Sequence, residues 1–184
     1  MSQGPWALNV VLLLLHLFLG GMILAHGYAK IFRGGRLAGT ARWFESIGMR
    51  PGQLNAYLAA TTEVGTGVLL ILGFATPLVA GSLTALMVVA IVTVHRFNGF
   101  FVYNKGQGVE YCSSVIAAAL ALGAFGSGKF SLDFHLRHLG IEHWLANSSH
   151  GLLVATIAGF GGAGLQLLAC YRPGLIPSKK SSPV

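Results

Sequence analysis

Long apolar runs broken by short polar stretches make up most of this chain, and they set its architecture. The central stretch, Leu54–Phe100, holds two of them, Leu54–Phe74 and about Leu78–Phe97, joined by the turn Ala75-Thr76-Pro77. Further runs cover Trp6 to about Ile31, Val109–Phe125 and His150–Tyr171. Each comes close to the ~20 residues a helix needs to cross a bilayer. A helix is the fitting prediction, because a spanning backbone must satisfy its own polar groups. Between the first two runs, Leu37, Thr40, Ala41, Phe44 and Ile47 recur at helical spacing, with Arg36, Arg42, Glu45 and Arg50 on the other side. That pattern predicts a short amphipathic helix on the membrane surface, with Trp43 at headgroup level. Phe130–Ser149 is polar, and Leu132, Leu136 and Leu139 predict a second surface helix there.

Composition sharpens this into an all-α, polytopic membrane helix bundle. Only 9% of the residues are charged, against about 25% in a soluble domain. That is too little charge to cover a surface in water, so the first partner implied is the lipid bilayer. The net charge of +7 then reads as loop anchoring, and no nucleic acid is expected as a partner. The beginning of the chain lacks the basic region of a signal peptide, so the first run reads as a retained helix.

Charge also orients the bundle. With five spans, one side collects Lys30, Arg33, Arg36, Arg42, Arg50, Arg96, Lys105, Arg172, Lys179 and Lys180, and the other only Lys129 and Arg137. The positive-inside rule makes the first side cytoplasmic, the N-terminus outside and the C-terminus cytoplasmic. The expected division is a membrane core over 1–128, an extracytoplasmic polar segment over 129–149, a fifth transmembrane helix over 150–172 and a basic cytoplasmic tail over 173–184.

Four polar groups fall in the cytoplasmic half of these helices, each on a different one: His26, Glu63, His95 and Glu110. Glu63 lies about nine residues into its run, roughly 14 Å at 1.5 Å per residue. An ionisable group at that depth is expensive, and so is a functional-site candidate by default. If the bundle converges the four on one cavity, it would bind a quinone head group or relay protons, with Glu63, His26, His95 and Glu110 as the catalytic candidates. The alternative is that they are interhelical hydrogen bonds that fix packing. Glu110 also suits a helix N-terminus, and Asn98 suits a turn.

Other chemistry finds less support. The four groups are not at diagnostic metal spacing, and no metal is expected; there is no haem-attachment motif either. His135, His138 and His143 read as scattered surface histidines. Cys112 and Cys170 read as buried inert thiols, and Gly34-Gly35 starts no nucleotide-binding motif. Gly20-Gly21, Gly27, Gly65, Gly67 and Gly73 suit close helix packing instead.

Several segments, in order, are similar to one family: His26-Gly27-x-x-Lys30, Gly39-Thr40-Ala41-x-x-Phe44, Gly48-x-x-Pro51, Glu63-x-Gly65-x-Gly67, Gly73-x-x-Thr76-Pro77, His95-x-x-Asn98-Gly99-Phe100-Phe101, Glu110-Tyr111 and Ser131-Leu132-Asp133. Over roughly Leu14 to Asp133 the chain resembles the DoxX family of bacterial membrane proteins. The resemblance implies a four-helix membrane core, a bacterial cell membrane location and relatedness to a membrane subunit of a thiosulfate:quinone oxidoreductase. The segment after Asp133 and the fifth run are additions to that core.

Together these readings predict a redox-linked membrane subunit with a quinone- or proton-handling site between helices. Quinone is the one cofactor suggested. Lacking an electron-carrier motif of its own, the chain would act with a protein partner in a membrane complex, and a homo-oligomer is compatible with the same pattern. The alternative is a non-catalytic membrane accessory or assembly protein. A small transporter using Glu63 is less favoured, since no inverted repeat or pair of broken helices is visible.

Overall fold

The computed structural model describes residues 6–136 and 148–175. It is an all-α membrane bundle. The helices are α1 (Trp6–Phe32), α2 (Arg36–Ser46), α3 (Gly52–Leu72), α4 (Thr76–Ala90), α5 (Glu110–Phe125), α6 (Leu132–Leu136), α7 (Ser148–Thr156) and α8 (Gly162–Cys170). A π turn, Ile91–His95, extends α4, and another, Ile157–Gly161, joins α7 to α8 in one rod. Among the described residues, four rods have the length and composition to cross a membrane: Trp6–Phe32, Gly52–Leu72, Thr76–His95 and Ser149–Cys170. α5 is shorter at 16 residues, about 24 Å, yet it too runs from one end of the bundle to the other.

Contacts among loops define the two ends. At one end, Arg50 N donates to Cys170 O at 2.8 Å and Arg172 N to Gly48 O at 2.7 Å, while Arg96 reaches the Tyr171 hydroxyl at 3.1 Å. These bonds gather the turn after α2, the end of α4 and the end of α8. At the opposite end, Lys129 N donates to Asn9 Oδ1 at 2.9 Å. There the Asp133 carboxylate accepts from Ala75 N at 2.7 Å and Thr76 N at 3.0 Å. It thereby caps the first turn of α4, where a negative charge meets the positive end of the helix. The Ser131-Leu132-Asp133 segment is thus a clasp on the α3–α4 turn. Nearby, His16 is buried in α1; its Nδ1–H donates to Leu12 O at 2.8 Å, and Thr76 Oγ1 lies 3.4 Å from its Nε2.

Glycines set how close the helices come. At Gly20 an added Cβ would lie 2.9 Å from Gly67 O, and at Gly67 it would lie 2.7 Å from Leu24 Cβ. At Gly27 it would lie 2.8 Å from Val64 Cγ2 and 3.1 Å from Glu63 Cβ. α1 and α3 therefore cross antiparallel with backbones almost touching, as small residues allow in lipid. Gly21 and Gly65 take no part: nothing lies within 4 Å of a Cβ at either. A second glycine seam joins the α7–α8 rod to α4, where Gly81 faces Ala158 and Gly159 faces Thr84.

The largest core cluster includes Leu19, Ile23, Leu70, Leu83 and Leu122. A smaller one lies under α2, around Phe44, Met49, Val89 and Cys170. The outer surface is equally apolar, with Leu165 and Leu168 71% and 81% exposed, as lipid contact requires. Cys112 and Cys170 are free, buried and in separate clusters. α6 covers Leu132 and Leu136 of the surface helix expected from the leucines. Leu139, His138 and His143 lie outside the described residues, as do Met1–Pro5 and most of the basic tail.

Candidate functional site

The close crossing of α1 and α3 brings a lysine onto the intramembrane carboxylate. Lys30 Nζ lies 2.5 Å from Glu63 Oε1. Gly27, one turn before Lys30, faces Glu63 and Val64, so the carboxylate is level with the last turns of α1. The first turns of α3 extend past the end of α1 and are covered by α2; Gly52 packs against Ala41 and Glu45 there. Counting from the start of α3 therefore overstates the distance from Glu63 to the polar end of the bundle.

The two oxygens of Glu63 differ. Oε1 accepts from the ammonium, while Oε2 is buried with no hydrogen-bond partner. A buried oxygen in that state is costly to hold as an anion and well placed to take a proton or accept a bond from a ligand. The pair is also lopsided toward water. The Glu63 side chain is 8% exposed and the Lys30 side chain 21%.

His26 precedes Lys30 by one turn, and its Nδ1–H donates to Met22 O at 3.0 Å. Its neighbour Gly27 faces Glu63 and Val64 on α3. From α5, the Tyr111 hydroxyl reaches Met22 Sδ at 2.9 Å, on the residue whose carbonyl His26 bonds. Lys30 and Glu63 thus meet across α1 and α3, and His26 and Tyr111 both bond Met22 of α1, two turns before Lys30.

The other two candidates have different bonds. His95 Nδ1–H donates to Gln107 O at 2.8 Å, and Glu110 Oε2 accepts from Val102 N at 3.0 Å. Both hold the loop between α4 and α5. Asn98 organises the same loop, donating to Val94 O, Gly106 O and Gln107 O and accepting from the Asn104 amide at 2.8 Å. Of the four groups expected to converge, Glu63 and His26 come together; His95 and Glu110 bond to loop backbone. Among the described residues, no three His, Cys, Asp or Glu side chains gather in a way that would hold a metal ion.

Sequence reasoning did not single out Lys30 or Tyr111 as site residues. Lys30 read as an interface anchor among other basic residues, although its spacing from His26 puts both on one helix face. Tyr111 stands in the sequence only as the residue after Glu110. A groove of about 430 Å³ between the end of α1 and α2 adjoins the pair, with His26, Lys30, Arg33 and Trp43 in its wall.

Comparison with curated proteins and with solved structures finds no match to this chain. The model of the DoxX family matches residues 11–96, which run from the second turn of α1 to the end of the α4 rod. The match includes His26, Lys30, Glu63 and His95 and stops short of Glu110, Tyr111 and Asp133. The segment that carries the buried ion pair, residues 11–96, is thus similar to the DoxX family, over a little under half of the chain.

Proposed function

We propose that this chain is a redox-linked subunit of a bacterial cell membrane complex, and that Glu63 exchanges a proton with a quinone between α1, α3 and α5. The supporting observation is the Glu63 carboxylate, held through Oε1 by Lys30 while Oε2 is buried and bare. Lys30 fixes the position of the carboxylate and stabilises its charged form. Oε2 is the atom that gains or loses the proton, and His26 offers a route toward the groove. The Tyr111 hydroxyl offers a further donor on the α5 side.

A quinone supplies a two-electron, two-proton acceptor when bound. A carboxylate, a lysine and an imidazole move protons, not electrons. The electrons must therefore pass between the quinone and a redox partner, which is why the chain is placed in a complex. The proposed orientation puts the groove on the cytoplasmic side, where ten of the twelve basic residues fall.

The test is purification in mild detergent, followed by quinone extraction and analysis of co-purifying proteins. The expected result is a bound quinone and a redox protein, with the quinone reduced in amount by Glu63→Gln. A chain that carries neither, and whose Glu63→Gln form behaves as wild type, would make it an accessory protein.

A further inference from the structure

The groove beside the ion pair has a chemistry of its own. Its wall includes Lys30, Arg33 and Arg36, with His26, Thr40 and Trp43, and no carboxylate. Lys30 is engaged by Glu63. Among the described residues the guanidinium groups of Arg33 and Arg36 make no ion pair. Two unpaired arginines a few residues apart, with no acid in the wall, make a site of strong positive potential.

The backbone holds them there at some cost. In the link from α1 to α2, Gly34 has φ +52° and Arg36 has φ +53°. The second is a left-handed conformation that a residue with a side chain seldom adopts, and such strain gathers where a side chain must be aimed. The groove's size, about 430 Å³, falls within the range of about 300–1,000 Å³ usual for small-molecule sites. Its surroundings are amphipathic. Trp43 is exposed on one wall, and Tyr28 and Phe32 are exposed on the neighbouring face of α1. A ligand here would meet cations at one end and a lipid-facing apolar surface at the other.

We propose that this groove binds the phosphate head group of an anionic lipid, with Arg33 and Arg36 as its principal ligands and the acyl chains along the exposed face of α1. Arginine suits the task because its planar fork matches phosphate oxygens. Lys30 then serves two anions. A phosphate in the groove competes with Glu63 for the ammonium, so lipid occupancy weakens the hold on the buried carboxylate. The head-group site stands without the quinone reading, because it needs only the groove and its arginines.

Native mass spectrometry of the detergent-purified protein, titrated with short-chain phosphatidylglycerol, phosphatidylcholine and inorganic phosphate, tests it. The anionic lipid should bind at least about tenfold more tightly than the choline lipid, since each basic residue near a lipid surface contributes about fivefold. The double variant Arg33→Gln/Arg36→Gln, altered at exposed positions, should lose that preference, while Lys105→Gln should keep it. Glu63→Gln should bind the anionic lipid more tightly, because Lys30 is released to it. Equal affinity for the two lipids, or a double variant with unchanged preference, would overturn the site. Inorganic phosphate binding as tightly as the lipid would overturn the lipid assignment. An unchanged affinity in Glu63→Gln would overturn the competition for Lys30.

Discussion

Lys30 and Glu63, 33 residues apart in sequence, meet at 2.5 Å because Gly27 has no side chain to keep α1 away from α3. The lysine faces an open groove and the glutamate a closed interior, so losing one partner is not equivalent to losing the other. Lys30→Met strands a buried carboxylate, for which removal of one partner costs about 3–5 kcal/mol. Glu63→Gln leaves an ammonium that can turn to water, and the amide oxygen can still accept its hydrogen bond. Thermal melting in detergent should show a large loss for Lys30→Met and a small one for Glu63→Gln. The double variant Lys30→Met/Glu63→Gln should recover much of the lysine variant's loss. Equal losses for the two single variants would sink this account of the pair.

The glycine seam makes a position-specific prediction. Gly67→Ala forces a methyl to within 2.7 Å of Leu24 Cβ and 2.9 Å of Gly20 O. Overpacking of that kind costs about 1–3 kcal/mol. Gly65→Ala, two residues away, meets nothing within 4 Å and should be neutral or slightly stabilising. Melting temperatures of the two variants, compared under the same detergent, check this. A Gly65→Ala protein that melts as low as Gly67→Ala would count against the crossing described here.

At the far end of the bundle, Asp133 bonds two backbone N–H groups at the start of α4. Asp133→Ala should lower stability by about 0.5–2 kcal/mol, the usual effect of losing a helix cap. Because the clasp lies at the opposite end from Glu63, quinone content should not change. Loss of bound quinone in a well-folded Asp133→Ala protein would show that the two ends are coupled.

The proposed orientation can be tested at residues on opposite ends. Both native thiols are buried and would first be replaced. Tyr103 in the α4–α5 loop is 77% exposed and Phe130 after α5 is 50% exposed. A membrane-impermeant thiol reagent should label Tyr103→Cys only after the cytoplasmic face is opened, and Phe130→Cys in intact cells. The reverse pattern would invert the topology, and labelling of both from one side would remove α5 as a crossing helix.

Much of the fold could be read from the sequence because the bilayer simplifies the code. An apolar run of sufficient length has one stable answer, and α1, expected over Trp6 to about Ile31, is found over Trp6–Phe32. Glu63 stood out for the same reason: a carboxylate within such a run requires an explanation. Its partner was harder to see. A lysine at a helix end is ordinary, and nothing local indicates that its long side chain turns inward to a residue on another helix. His95 and Glu110, which bond to loop backbone, pose a related difficulty. Position along a helix can be counted from sequence, but the stagger of neighbouring helices and the direction in which a side chain leaves its helix cannot be read so simply. His95 closes the π turn Ile91–His95, and its ring bonds Gln107 O.

The central claim is that Glu63 changes protonation when quinone turns over. Infrared difference spectroscopy of the purified complex, recorded as bound quinone is reduced and reoxidised, observes that carboxyl group directly. The account predicts a carboxylic-acid C=O signal that is present in the wild type and absent in a Glu63→Gln protein with near-normal melting. A difference spectrum identical in the two proteins would contradict it.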